Sequence, residues 1–284
     1  KSWFAIARKG KWKGGKVSNL CHKLHRSRAA FYKLKANQTQ QNLDGRILHE
    51  LTMEKRKPMP RLGGKKTYHE IKPELSKMGL RIGRDKYFDW LRTENLLIRP
   101  KKRFTRTTQS FHRYRMHDNK IKGLMVTMPD QVWVSDITYL RLQKGFCYLA
   151  LITDVYSRKI IGYEVSDTLE IKGPLKALNR ACTGKANRKT IHHSDRGFQY
   201  CSDRYTKKLK HHNIEISMGE VGNCYENALA ERVNGILKSE FNLDETFLNL
   251  AHAIKAVKQS VKTYNELRPH MSLGMQKPTD LYAA

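Results

Sequence analysis

The sequence predicts an α/β fold with a mixed sheet in its second half, preceded by small all-α modules. Between residues 131 and 165, three runs of strand-forming residues are separated by turns of hairpin length, and helical and strand patterns alternate after them. Before residue 122, apolar residues recur at helical spacing instead. Charge divides the chain at the same place, with 33 Lys and Arg against 9 Asp and Glu in residues 1–122, and 22 against 17 in the remainder. The front is therefore expected to meet a polyanion.

Residues 1–57 are predicted to form a basic helix-turn-helix region. A short amphipathic helix starts at Val17, and Ser27 suits the N-cap of a second short helix that turns Phe31 inward. Residues 38–44 are interpreted as a polar linker, after which a helix restarts and ends before Pro58. Arg28 would face DNA in a helix-turn-helix, whereas in the alternative, a hairpin that only packs, it would be a surface charge.

Residues 58–98 are predicted to form a second helical DNA-binding module. Thr67 is expected to cap one helix that ends at Gly79, and Gly83 to open another. The cations expected to contact phosphates, or else to be solvated surface charges, are Arg81, Arg84, Lys86 and Arg92.

Residues 99–124 form a predicted basic linker. Aromatic residues are interspersed among its cations, which include Lys101, Lys102, Arg103 and Arg106. This composition suits a segment that lies along DNA and orders on binding, and a flexible linker is the alternative.

Residues 125–284 are predicted to form the α/β core with a helical tail. The expected strands cover residues 131–142, 146–155, 159–165 and 214–217, with a further strand that starts at Thr190 and runs into Asp195. The expected helices cover residues 169–181, 204–212, 225–241 and 247–260. Tyr264, Asn265, Arg268 and His270 fall in a loop with Pro and Gly that is expected to pack against the core.

Three acidic residues stand out in this core. Asp136 is the one charge among the strand-forming residues Val132 to Tyr139, Asp195 ends a strand, and Glu231 follows on a helix with thirty-five residues between it and Asp195. A buried carboxylate is unfavourable without a compensating cation, and converging carboxylates suit hard divalent cations. Lys238 shares the exposed helix face of Glu231, seven residues further on.

These residues and their flanking sequences WVSDITYL, HHSDRGFQY and NCYENALAERVNGILKSE resemble the Asp, Asp, Glu (DDE) transposase and retroviral-integrase superfamily. The resemblance is greatest to bacterial insertion-sequence transposases encoded by a second reading frame. It implies a ribonuclease-H-like integrase catalytic core and a polynucleotidyl transferase in which Asp136, Asp195 and Glu231 bind two Mg²⁺, with Mn²⁺ as a possible substitute. It also implies that Lys238 contacts DNA.

The resemblance implies cleavage at insertion-sequence ends followed by strand transfer, by hydrolysis and transesterification. Its partners would be the terminal inverted repeats, target DNA and at least one further copy of the chain. A metal-dependent nuclease of the same fold and a DNA-binding regulator with an inactive core are the alternatives.

Several residues near the acids have weaker predicted roles. Asn223 and Tyr225 precede the Glu231 helix and could touch DNA ends, while His192 and His193 suit a supporting role or a DNA contact better than that of a general base. The odd cysteine number, with no paired spacing, is typical of reduced thiols in a cytoplasmic protein, here one expected at the bacterial nucleoid. No long apolar run predicts a membrane span.

Overall fold

Helices make up the front of the chain and a five-stranded sheet organises the rest. The computed structural model describes residues 17–23, 25–99, 116–183, 189–219 and 228–283. The front helices are α1 Val17–Lys23, α2 Arg28–Arg56, α3 Gly64–Lys77 and α4 Arg84–Thr93.

Helix α2 is continuous over 29 residues, so the predicted polar linker at residues 38–44 and the second short helix are wrong. Ser27 does cap the helix, because its Oγ accepts a hydrogen bond from the Ala30 amide at 3.1 Å. The polar stretch stays helical because its side chains bond one turn apart, as Gln40 does to Asp44 at 2.8 Å.

Helices α3 and α4 pack with the end of α2 around a small core of their own, which includes Leu48, Ile71, Leu75, Tyr87 and Leu91. Helix α3 begins at Gly64, so the prediction that Thr67 caps it is wrong. Gly79 follows the helix with φ +73°, a conformation that glycine adopts without strain. Gly83 lies at the N-cap of α4, as predicted.

The sheet has the order β3-β2-β1-β4-β5. Its strands are β1 Val132–Arg141, β2 Phe146–Asp154, β3 Ile160–Ser166, β4 Thr190–Ser194 and β5 Ile214–Met218. The first three are antiparallel neighbours, whereas β4 is parallel to both β1 and β5. This mixed order, with helices following the hairpins, confirms the predicted ribonuclease-H-like α/β core.

The helices of this core are α5 Lys172–Cys182, α6 Phe198–Cys201, α7 Asp203–His211, α8 Ala228–Glu240, α9 Leu250–Glu266 and α10 Pro278–Ala283. Helix α9 runs past its predicted end, so Tyr264 and Asn265 lie in its last turn rather than in a loop. The tail packs as expected, because the Asn265 amide exchanges two hydrogen bonds with the Ile160 backbone at 2.9 Å. No helix in the described part of the chain combines the length and apolar character needed to span a membrane.

Clusters of buried apolar residues cover both faces of the sheet. One cluster lies under α5 and α7 and contains Trp133, Leu178 and Tyr205. The other lies under α8 and α9, and it also contains Met59 and Leu62 from the connection between α2 and α3. The front of the chain therefore contributes side chains to the core of the catalytic part.

Candidate active site

Asp136 and Asp195 lie on neighbouring strands at the same level of the sheet. Strands β1 and β4 are parallel, and Ser135 is paired with Ser194. Asp136 is the next residue of β1, and Asp195 directly follows the end of β4. Because neighbouring strands lie about 4.8 Å apart, this register brings the two acids to one place.

Hydrogen bonds fix both carboxylates. Asp136 accepts one from the side-chain amide of Asn234 and one from the Ile137 amide, both at 2.8 Å. Asp195 accepts one from the Gly197 amide at 3.0 Å. A Cβ on Gly197 would lie 3.0 Å from the same carboxylate oxygen, so glycine allows the backbone to approach the acid closely.

Glu231 is brought towards this pair by helix α8. It lies in the first turn of the helix, exposed to solvent and three residues before Asn234, whose side chain reaches Asp136. Residues three apart are neighbours on a helix surface, so Glu231 and Asn234 share the side that faces β1. Asn234 itself is buried.

The electrostatics of Asp136 link the three acids. Burial, followed by the negative charge of Asp195 and, more weakly, that of Glu231, raises the pKa of Asp136 to about 7, against the hydrogen bonds from Asn234 and Ile137. Part of this residue reaches the surface, but its carboxylate is desolvated within the site. Like charges are thus held near one another at this site.

The donor set fits a hard divalent cation. Carboxylate oxygens are the ligands that Mg²⁺ and Mn²⁺ prefer, and Asp136, Asp195 and Glu231 supply them from one side of the sheet. The buried Oδ1 of Asn234 has no hydrogen-bond partner within the described ranges. As placed, no three His, Cys, Asp or Glu side chains of the described residues already form a metal-binding group.

Lys238 lies seven residues after Glu231 on α8 and is half-buried. Burial lowers its pKa, and the negative charges of Asp136 and Asp244 oppose that shift. Its ammonium group is therefore within electrostatic reach of the acidic site, but it is less exposed than the sequence predicted.

The two histidines beside Asp195 are buried, which favours a supporting role over a DNA contact for both. His192 Nε2 lies 2.6 Å from the Ser135 hydroxyl and 3.0 Å from that of Tyr205, and burial lowers its pKa to about 3. His193 Nδ1 lies 2.9 Å from the Ser217 hydroxyl. The two rings thus link strand β4 to β1 and to β5.

The other predicted DNA contacts fall into two groups. Arg28, Arg84, Lys86 and Arg92 are exposed on the front helices and Arg81 in the loop before α4, with Arg84 paired to Asp85 at 3.0 Å and Arg92 paired to Asp89. The second group lies outside the described residues, namely Lys101, Lys102, Arg103, Arg106, Asn223 and Tyr225.

Two family models match this part of the chain, and both are described as integrase core domains. One matches residues 126–224 and therefore includes Asp136 and Asp195. The other matches residues 212–278 and includes Glu231.

Similar proteins occur in bacterial insertion elements. The chain is 36% identical over 213 residues to the insertion element IS600 uncharacterized 31 kDa protein of Shigella sonnei, covering 73% of this chain and 78% of that protein. It is 34% identical over 209 residues to the transposase for insertion sequence element IS629 of Shigella sonnei, covering 73% of this chain and 70% of that protein.

Among solved structures, the HTLV-2 integrase catalytic core domain in complex with magnesium aligns with 55% of this chain and 97% of its own, at 21% identity and a TM-score of 0.45. The chain belongs to the insertion-sequence transposases that contain an integrase core domain.

Proposed function

We propose that this transposase cuts DNA at the ends of its insertion element and joins the released strand to another DNA strand, with Asp136, Asp195 and Glu231 binding two Mg²⁺ ions. The observation that carries this proposal is the placement of Asp136 and Asp195 side by side at the end of the pairing between strands β1 and β4, with Glu231 on the helix whose Asn234 bonds to Asp136. Burial and then the charges of Asp195 and Glu231 raise the pKa of Asp136, and a bound cation would remove that repulsion.

In this proposal the protein's side chains hold the metal ions and orient the carboxylates that bind them. Asp136 and Asp195 would supply ligands from adjacent strands, and Glu231 would close the site from α8. When bound, the two ions stabilise the attacking and the leaving oxygen of an in-line phosphoryl transfer. Asn234 keeps the Asp136 carboxylate in one orientation through its 2.8 Å hydrogen bond.

The basic front of the chain would supply DNA affinity. Arg81, Arg84 and Lys86 are exposed on or next to α4, where they can reach a phosphate backbone, and Lys238 would contact a phosphate close to the acids. The cations of residues 99–124 would continue this contact along the DNA.

The complete reaction would need more than one copy of the chain. Two terminal inverted repeats must be held together before either end is joined, and a symmetric dimer or higher oligomer does this most simply. The substrate would be bacterial chromosomal or element DNA, which places the activity in the cytoplasm at the nucleoid.

The proposal can be tested with labelled duplexes that carry an element end, incubated with the purified chain and Mg²⁺. The wild type is expected to yield strands cut at the end and, in addition, longer joined products. Asp136→Asn and Asp195→Asn should each reduce both products by on the order of 1,000-fold, about 4 kcal/mol of transition-state stabilisation. Asp203→Asn, at an exposed aspartate of the same core, is the control and should retain activity.

Three results would contradict the proposal in different ways. Shortened strands without joined products would indicate a metal-dependent nuclease. DNA binding without any cleavage would indicate a regulator with an inactive core. Undiminished strand transfer by Asp136→Asn would remove the assigned site.

A further inference from the structure

The connection between α2 and α3, residues 57–63, is part of the catalytic core rather than a free link. Met59 is 3% exposed and Leu62 is fully buried, in the same cluster as Leu237 and Phe241 at the end of α8. Removing this connection would therefore open a cavity beneath α8.

The same connection completes the end of helix α8. The Arg61 amide donates a hydrogen bond to the backbone carbonyl of Glu240, the last residue of the helix, at 3.2 Å. The last carbonyls of a helix have no partner within it, so a donor from outside the helix satisfies one of them. The front of the chain thus caps the helix that carries Glu231.

The side chain of Glu240 adds a buried ionic contact at this point. Its Oε1 lies 2.6 Å from Lys66 Nζ on α3. Arg268, from the segment after α9, donates from Nε to Oε2 at 2.9 Å and from Nη2 to Oε1 at 2.8 Å. The exposed fractions of the Lys66, Glu240 and Arg268 side chains are 11%, 16% and 4%.

The cluster contains one carboxylate for two cations. Burial by itself raises the pKa of Glu240, but the hydrogen bonds and charges of Arg268 and Lys66 outweigh it, and the pKa is lowered overall. The pKa of Lys66 is lowered by its own burial and by Arg268, against the attraction of Glu240. The two shifts are compatible, because one acid cannot fully compensate two desolvated cations. Glu240 is consequently the residue on which the cluster depends.

We propose that Glu240 is a positioning residue that couples the front helical module, through Lys66 and the 57–63 connection, to the helix carrying Glu231. In this arrangement the exposed cations of α4 and the acids of the active site keep a fixed relation to each other. The inference rests on the proposed function for the role of Glu231, but the coupling itself does not.

The coupling can be measured in the full chain without any DNA chemistry. Glu240→Gln leaves two buried cations without a counter-charge and should lower the unfolding midpoint by roughly 10 °C. Lys66→Met removes one of these cations and keeps an apolar chain of similar length, so adding it to Glu240→Gln should restore part of the loss. Glu245→Gln, at an exposed glutamate nearby, is the control and should leave the midpoint unchanged.

Two further measurements separate positioning from general stability. In Glu240→Gln, at a temperature where the variant is folded, backbone amides of both α3 and α8 should exchange hydrogen faster than in the wild type. The affinity of Glu240→Gln for Mn²⁺, measured from the electron paramagnetic resonance signal of the free ion, should be lower than that of the wild type by on the order of 10-fold. Glu240→Asp keeps the charge but shortens the side chain. Its amide exchange rates and its Mn²⁺ affinity should lie between those of the wild type and Glu240→Gln.

Additive effects of Lys66→Met and Glu240→Gln, or faster exchange in α8 alone, would overturn the coupling. Unchanged Mn²⁺ affinity in a folded, destabilised Glu240→Gln would overturn the positioning role. If the wild type neither binds Mn²⁺ nor cleaves DNA, the proposed function fails, and the exchange and unfolding data still decide the coupling.

Discussion

The acidic residues at the two ends of helix α8 have opposite surroundings. At its first turn, Glu231 lies within electrostatic reach of Asp136, whose pKa is raised to about 7 by burial and then by the charges of Asp195 and Glu231. At its last residue, Glu240 is paired with Lys66 and Arg268, and its pKa is lowered. A single 13-residue helix therefore has like charges near its first end and an ion-paired acid at its last.

This difference separates residues proposed to bind cations from residues that stabilise the fold. Acids that raise one another's pKa are suited to binding a cation, whereas an acid paired with two cations stabilises the contact between distant parts of the chain. Changes at the first end should therefore affect activity more than stability, and changes at the second end should do the reverse.

The largest effect on stability is expected from Arg268→Met. It removes a nearly fully buried guanidinium, and the two charge-assisted hydrogen bonds lost from Glu240, at about 1.5–3 kcal/mol each, cost about 3–5 kcal/mol together even though Lys66 still pairs with Glu240. Arg92→Met, in an exposed pair with Asp89, should cost less than about 1 kcal/mol. Urea unfolding of both variants measures the difference, and equal losses would contradict the stabilising role of the buried pair at Glu240.

Asn234→Ala should reduce activity more than stability. Losing the 2.8 Å hydrogen bond frees the Asp136 carboxylate, and strand cleavage should fall about 10–100-fold. The free energy of unfolding should change by only about 1 kcal/mol. Cleavage rates and urea unfolding test this together, with Asn179→Ala on the exposed side of α5 as the control. A stability loss as large as that of Arg268→Met, with normal cleavage, would reverse the assignment.

The strands and the acidic residues could be predicted from sequence because their signals are local. Hairpin spacing defined β1 to β3, and Asp136 is conspicuous as a charge among strand-forming residues. The parallel placement of Asp195 beside it required the resemblance, since periodicity alone does not determine strand order.

The features that sequence missed are of two kinds. The polar part of α2 lacks apolar periodicity and is held by side-chain bonds such as Gln40 to Asp44, so it was taken for a linker. Lys66 and Glu240 are 174 residues apart, and no local pattern links them. Asn234 could have been found from its position three residues after Glu231, on the side facing β1.

The pH dependence of stability should give a smaller effect that is specific to Glu240, at the last residue of α8. The pKa of Glu240 is lower in the folded state than in the unfolded state, so its stabilisation is complete above about pH 5 and is lost as pH falls through the folded pKa. The difference in unfolding free energy between the wild type and Glu240→Gln should shrink as pH is lowered from about 6 to 3. A difference that does not vary with pH would contradict the ionic role of Glu240.

The smallest effect is expected on the salt dependence of DNA binding by the module formed by α3 and α4. Replacing Arg81, Arg84 and Lys86 together by Gln should reduce the slope of log affinity against log salt by about 2–3 for DNA, if each contacts one phosphate. These point changes are preferable to deleting the front of the chain, because Met59 and Leu62 belong to the catalytic core. An unchanged slope would place DNA binding elsewhere.

The central claim, that the first end of α8 and the adjacent strands bind divalent cations, is tested most directly by Mn²⁺ titration of the wild type, Asp136→Asn and Glu231→Gln, followed by electron paramagnetic resonance. The account predicts bound Mn²⁺ in the wild type that Mg²⁺ displaces and that both variants lack or bind far more weakly. Equal binding in all three proteins, or none in the wild type, would contradict it.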